Sequence, residues 1–201
     1  MKKGTIIALS VIGGIILIII LLTGWVTGVY NSLVRLDETV NQSWAQVQNQ
    51  YQRRVDLIPN LVEVVKGYAA HEKEVFEKVA EARASVGKIQ ITPEILNNPQ
   101  AFQQFQKAQS GLSGALSRLL AVAENYPQLK ANENFLQLQA QLEGTENRIA
   151  VERKRFNEVV QIYNTKVRTF PTAIFAGTFG FAQKQYFQAE AGADIVPKVK
   201  F

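Results

Sequence analysis

The sequence predicts an all-α protein: an N-terminal transmembrane helix followed by an antiparallel up-down four-helix bundle of long helices. Three observations predict it. An uncharged, apolar run fills Thr5 to Val29. Beyond it, apolar residues recur at alternating spacings of three and four, the helical period and not the period of two that marks a strand. Prolines 59, 93, 99, 127, 171 and 197 cut that pattern into lengths suited to helices.

The anchor comes first. At 1.5 Å per residue the run from Thr5 to Val29 would be roughly 37 Å long, enough to cross a hydrocarbon core of about 30 Å with some tilt. A cleaved signal peptide would carry a shorter apolar stretch and a small-x-small site after it. Here Leu22 is followed by Thr23-Gly24-Trp25-Val26-Thr27-Gly28, with Trp25 and Tyr30 at the depth where aromatic side chains anchor a helix in the interface. Gly24 and Gly28 have the small-xxx-small spacing that lets transmembrane helices approach closely. Lys2 and Lys3 precede the run, and only Arg35 lies close behind it until Arg53 and Arg54. By the positive-inside rule that count leans towards a cytoplasmic N-terminus.

Four apolar stripes follow. Tyr30, Leu33, Val40, Trp44, Val47, Tyr51 and Ile58 form the first, interrupted by Asp37 and Arg54. The second comprises Leu61, Val65, Tyr68, Val75, Val79, Ala82 and Val86, with Glu72 in its seam. Phe105, Ala108, Leu112, Ala115, Leu119 and Val122 make the third. The fourth runs from Phe135 through Leu142, Ile149, Phe156 and Tyr163 to Phe170, with Thr145 and Glu152 in line.

The breaks have causes. Pro59 disfavours helical geometry at Ile58 and cannot donate its own N–H, which predicts a turn between the first two helices. Thr92-Pro93 reads as a cap followed by proline at the first helical position, inside a loop from Gly87 to Pro99. Asn125-Tyr126-Pro127 closes the third helix, and Asn132 caps the fourth. The expected divisions are therefore an anchor over 1–29, a helical bundle over 30–171, an aromatic membrane-proximal or oligomer-contact segment over 172–188, and a loosely ordered tail over 189–201.

Composition narrows the chemistry. Lys and Arg number 22 against 17 Asp and Glu, a small, dispersed excess that does not make a nucleic-acid footprint. The absence of cysteine removes thiolate ligands and nucleophiles, and one histidine, His71, leaves no histidine cluster for a metal. His71-Glu72 does not continue into a metalloprotease motif, because Val75 stands where the second histidine belongs. Glu124, Glu143 and Glu146 lack the Glu-x-x-His repeats of a carboxylate-bridged site in a helical bundle. No cofactor and no catalytic residue are expected. With 19 Gln and 12 Asn, much of the polar surface is neutral amide.

Two regions stand out as contact surfaces. An even number of antiparallel helices returns the chain to the membrane, where Phe175, Phe179, Phe181 and Phe187 would meet lipid or a second subunit, or else close the end of the bundle. At the opposite end, Arg53, Asp56, Pro59 and Asn60 would form a membrane-distal turn open to a partner protein. Asp37, Arg54, Glu72 and Glu152 are expected as polar residues of the seams, with Arg54 paired to Glu72 or Glu152 and setting register.

Specific blocks add a resemblance. Trp44-Ala45, Gln52-Arg53-Arg54-Val55-Asp56-Leu57-Ile58-Pro59-Asn60-Leu61-Val62 and Val65-Lys66-Gly67-Tyr68-Ala69-Ala70-His71-Glu72 resemble the LemA family. So do Leu120-Ala121-Val122-Ala123-Glu124-Asn125-Tyr126-Pro127-Gln128-Leu129-Lys130, Glu143-Gly144-Thr145-Glu146-Asn147-Arg148-Ile149-Ala150, and Tyr163-Asn164 through Phe170-Pro171. The resemblance covers Tyr30 to Phe187. It implies an anchored antiparallel four-helix bundle in the bacterial inner membrane, with the bundle cytoplasmic, against the lean of the flanking charges. It implies no reaction; membrane shaping enters as an expectation. The function expected is thus a non-enzymatic scaffold at the membrane, in contact with lipid and self-associating. The alternative is an adaptor that offers its distal turn to a membrane protease or an ATPase.

Overall fold

A computed structural model describes residues 3–188; the predicted tail, 189–201, lies outside the described residues. All regular structure among the described residues is helical. Helix α1 (Lys3–Lys66) is followed by α2 (Lys73–Gly87), a 3-10 turn (Pro93–Asn97), α3 (Pro99–Glu124), α4 (Pro127–Lys130), α5 (Glu133–Arg168) and α6 (Thr172–Ala176). An extended strap over 181–188 completes the described chain.

The first helix departs from the sequence expectation. It does not end at Ile58 but continues through Pro59 to Lys66, so apolar run and helical body share one helix of 64 residues, about 96 Å long at 1.5 Å per residue. A proline inside a helix removes one hydrogen bond and crowds the carbonyl four residues back, at a cost of about 3 kcal/mol. Pro59 sits on the exposed side, while Ile58, Leu61 and Val65 beside it are fully buried. Their burial, at about 1.5–3 kcal/mol per large aliphatic side chain, outweighs the proline. Val55, Val62 and Val64, on other faces of the same stretch, are partly buried against the same core. The reversal falls instead at Gly67–Glu72, where the Gly67, Tyr68 and Ala69 N–H groups close onto the carbonyls of Glu63 and Val65.

The remaining boundaries follow local chemistry. Asn98 caps α3 by accepting from the N–H groups of Gln100 and Ala101, with Pro99 next. Asn132 caps α5 through the Phe135 N–H. Helices α1 and α5 run in opposite directions, since Trp25 meets Phe175, Trp44 meets Phe156, Arg54 meets Glu146 and Tyr68 meets Asn132. Helix α2 lies along α3.

Two apolar cores fill the body. The one nearer the apolar run is built around Trp44, whose ring touches Phe102, Phe105, Phe156 and Phe187 at centroid distances of 5.5–6.0 Å. The other joins Ile58, Leu61 and Val65 to Val79, Leu112, Leu119, Leu129 and Leu142. Burial on α1 begins at Val29. Among the described residues α1 alone is long and apolar enough to cross a membrane, and its apolar stretch is unburied.

Candidate functional site

Aromatic contacts tie the segment that follows α5 to α1 at the base of the body. Trp25 meets Phe175 edge-on at 5.5 Å, Tyr30 meets Phe179 at 5.2 Å and Phe181 at 5.8 Å, and Phe175 stacks on Phe179 at 6.3 Å. Such pairs contribute about 0.5–1.5 kcal/mol each beyond area burial. Phe179 and Phe181 thus spend one face within their own chain. Phe187 is a correction: it is only 6% exposed and packs inside the Trp44 core, which leaves it nothing to offer lipid or a second subunit. The most exposed large apolar side chains at this end outside α1 are Phe170, 77% exposed, and Ile174, 61% exposed. Phe170 thereby leaves the apolar stripe assigned to it. Gly24 and Gly28 lie on the bare part of α1, with open space where a side chain would stand.

Behind the aromatic segment, the strap is held by side-chain amides that act as peptide groups. Asn164 Nδ2 donates to the Lys184 carbonyl and the Lys184 N–H donates to Asn164 Oδ1, both at 2.9 Å. Asn157 repeats the pattern with Phe187, again with two bonds of 2.9 Å. Gln185 N–H donates to the Leu96 carbonyl. Lys184 is almost wholly buried, forms an ion pair with Asp37 at 2.9 Å, and lies 5.6 Å from the centre of the Tyr163 ring. Burial, and then the nearby Asp37 carboxylate, push the Tyr163 phenol well above its ordinary value. Lone asparagines in a helix carry no signal that they will grip a distant strand, so Asn157, Asn164 and Lys184 were not legible from sequence.

Arg54 forms the polar centre of the body. The residue is 1% exposed, and its guanidinium donates to Glu146 at 2.8 Å, to Ser113 at 2.8 Å and to the Gln109 side chain. Glu146 replaces the expected partners Glu72 and Glu152. The register of α1 against α5 sets residue 146 opposite Arg54. Glu72 lies in the reversal after α1, where it accepts from Tyr126, and Glu152 pairs with Arg155 one turn along its own helix. Asp37 does enter a seam, through Lys184.

A cleft of about 600 Å³ opens over this centre between α3 and α5, lined by Tyr51, Arg54, Gln103, Gln104, Gln106, Lys107, Gln109, Ser110, Ser113, Glu146, Ile149, Arg153 and Gln188. Three cations face one carboxylate there. Two buried donors on lining residues, Arg54 Nε and Gln109 Nε2, have no acceptor. A surface of this kind suits a ligand rich in hydrogen-bond acceptors and bearing negative charge.

The expected distal turn does not exist as such. Arg53, Asp56, Pro59 and Asn60 lie inside α1, all exposed, and Asp56 accepts from Gln52 one turn earlier at 2.7 Å. His71 and Glu72 belong to the true reversal. Among the described residues, no three His, Asp or Glu side chains converge as a metal site would need.

Comparison with known proteins agrees with the sequence blocks. The model of the LemA family matches residues 43–201. Magnetosome protein MamQ 2 of Paramagnetospirillum magneticum is 26% identical over 181 residues, covering 82% of this chain and 66% of that protein. Magnetosome protein MamQ of Magnetospirillum gryphiswaldense is 26% identical over 189 residues, covering 85% and 70%. Protein LemA of Metamycoplasma hominis is 24% identical over 159 residues, covering 79% and 68%. The chain thus spans about two thirds of the length of these curated relatives.

Proposed function

Because the chain belongs to the LemA family, we propose that it is a membrane-anchored helical scaffold without catalytic activity, which self-associates at the membrane and organises it. Its body is an antiparallel four-helix bundle of α1, α2, α3 and α5. The chain crosses the bacterial inner membrane once, with the bundle on the cytoplasmic side.

The continuity of α1 carries this reading. A single helix enters the body from the apolar run with no hinge, and the Trp25–Phe175 contact braces it at the point of entry. An anchor joined in this way transmits orientation, since a helix bends far less readily than a loop. Aromatic side chains at the end of an apolar run favour headgroup depth, and exposed Phe170 and Ile174 extend that belt outwards from α1. The likeness to magnetosome proteins supports an organising role.

Association is expected through Gly24 and Gly28 in the bilayer and through Phe170 and Ile174 at its surface. The test is the molar mass of full-length protein in mild detergent by light scattering. Wild type should form a narrow assembly, and Gly24→Leu with Gly28→Leu should reduce it towards monomer. A wild-type monomer would overturn self-association and favour the adaptor reading. That second reading has one observation of its own: Arg53, Asp56 and Asn60 share an exposed face of α1 at helical spacing. Charge reversal at Arg53 and Asp56 would then abolish partner capture without loss of helicity. Because the chain has no cysteine, a single Cys replacing exposed Glu77 can report the side of the body, with a membrane-impermeant maleimide on intact cells.

A further inference from the structure

The strap ends where the polar cleft begins. Its contacts step along α5 in one direction: Lys184 pairs with Asn164, Phe187 with Asn157, and the Gln188 carbonyl with Arg153. Three extended residues, from Lys184 to Phe187, cover roughly 10 Å, and seven helical residues, from Asn164 to Asn157, cover about the same length. Strap and helix therefore keep step. On the other wall, the Gln188 N–H donates to Gln106 of α3. Continued in the same direction, the next positions on α5 are Ile149 and Glu146, and on α3 they are Gln109, Ser110 and Ser113. All five line the cleft.

We propose that the cleft is a receptor for an extended, carboxylate-bearing peptide, and that its occupant is this chain's own segment Ala189–Asp194. The sequence after Gln188 reads Ala189-Glu190-Ala191-Gly192-Ala193-Asp194. Apart from the two carboxylates, Glu190 and Asp194, these residues are small, so an extended backbone can lie close to both helices. Docked in this way, Glu190 would fall two residues past Gln188, roughly 7 Å further along, beside Ile149 and within reach of Lys107 and Arg153. The excess of cations over carboxylates in the cleft matches that charge. The proposal is independent of whether the protein self-associates.

The cysteine-free chain permits a direct test by disulfide trapping in full-length protein in mild detergent. Ser110→Cys with Ala191→Cys places one thiol on the cleft wall and one on the segment. Glu77→Cys with Ala191→Cys is the control, on an exposed face of α2 outside the cleft. Docking raises the local concentration of one thiol at the other, so the Ser110/Ala191 pair should oxidise within one chain on the order of tenfold faster than the control. Lys107→Glu should slow that reaction by about threefold, the scale of an exposed ion pair, and adding Glu190→Lys should restore it. Equal rates for the two cysteine pairs, or charge reversals without effect, would overturn the proposal. Disulfides formed only between chains would overturn it as well, by making a second copy the occupant.

Discussion

Asn157 holds Phe187 through both halves of one amide, donating to its carbonyl and accepting from its N–H at 2.9 Å each. Thirty residues apart in sequence, the pair reproduces one step of a β-ladder with a side chain in place of the second strand. It also seats the Phe187 ring in the Trp44 core. Without a sheet to join, an extended strap needs such partners, because its peptide groups would otherwise be buried unpaired.

Asn157→Ala and Asn164→Ala should each cost about 1–3 kcal/mol, since each leaves two strap groups unpaired. For a chain of this size that lowers Tm by about 2–4 °C per kcal/mol. Asn157→Asp should cost nearly as much, because a carboxylate accepts from the N–H but repels the carbonyl. Far-UV circular dichroism melts in detergent report the loss. Hydrogen exchange should rise over 184–188 before it rises elsewhere.

Arg54 and Glu146 should respond unequally. Glu146→Ala leaves a buried guanidinium with only neutral partners, while Arg54→Met leaves a carboxylate whose side chain is already 39% exposed and can hydrate. The Glu146 variant should lose about 2–4 kcal/mol and the Arg54 variant less than half of that. Equal losses would show that the pair acts through shape and not charge.

Tyr163 sets an alkaline limit. Its phenol titrates higher in the folded chain than in the unfolded one, where the pKa is about 10. The stability it confers is therefore complete below about pH 10 and falls as pH rises from there towards the folded value. Tyr163→Phe should flatten the fall of Tm between pH 9 and 11, the interval bracketing the phenol's unfolded pKa of about 10. It should leave the melt near neutrality little changed, because burial and the Asp37 charge, the largest causes of the shift, act on the ionised phenol.

Pro59→Ala should raise Tm, since it restores an interior helical hydrogen bond at an exposed site. The gain is about 2 kcal/mol, which is the proline cost less its entropic benefit in the unfolded chain. A residue at a turn would show the opposite sign.

The sequence itself determined the N-terminal apolar helix, the helical class, the Asn132 cap, and most core positions on α1 and α5. These depend on local properties: a run of uncharged residues, a period of three and four, and a cap side chain within three residues of the N–H it serves. Tertiary structure decided the rest. Pro59 stays helical because Ile58, Leu61 and Val65 are buried by residues from other helices. Glu146 becomes the partner of Arg54 because of a register between segments ninety-two residues apart. Phe187 is core and not surface because two asparagines on α5 hold the strap in place. Each of these choices compares a local cost with packing energy from distant parts of the chain, and hydrophobic periodicity describes only the face that will be buried, not what will bury it.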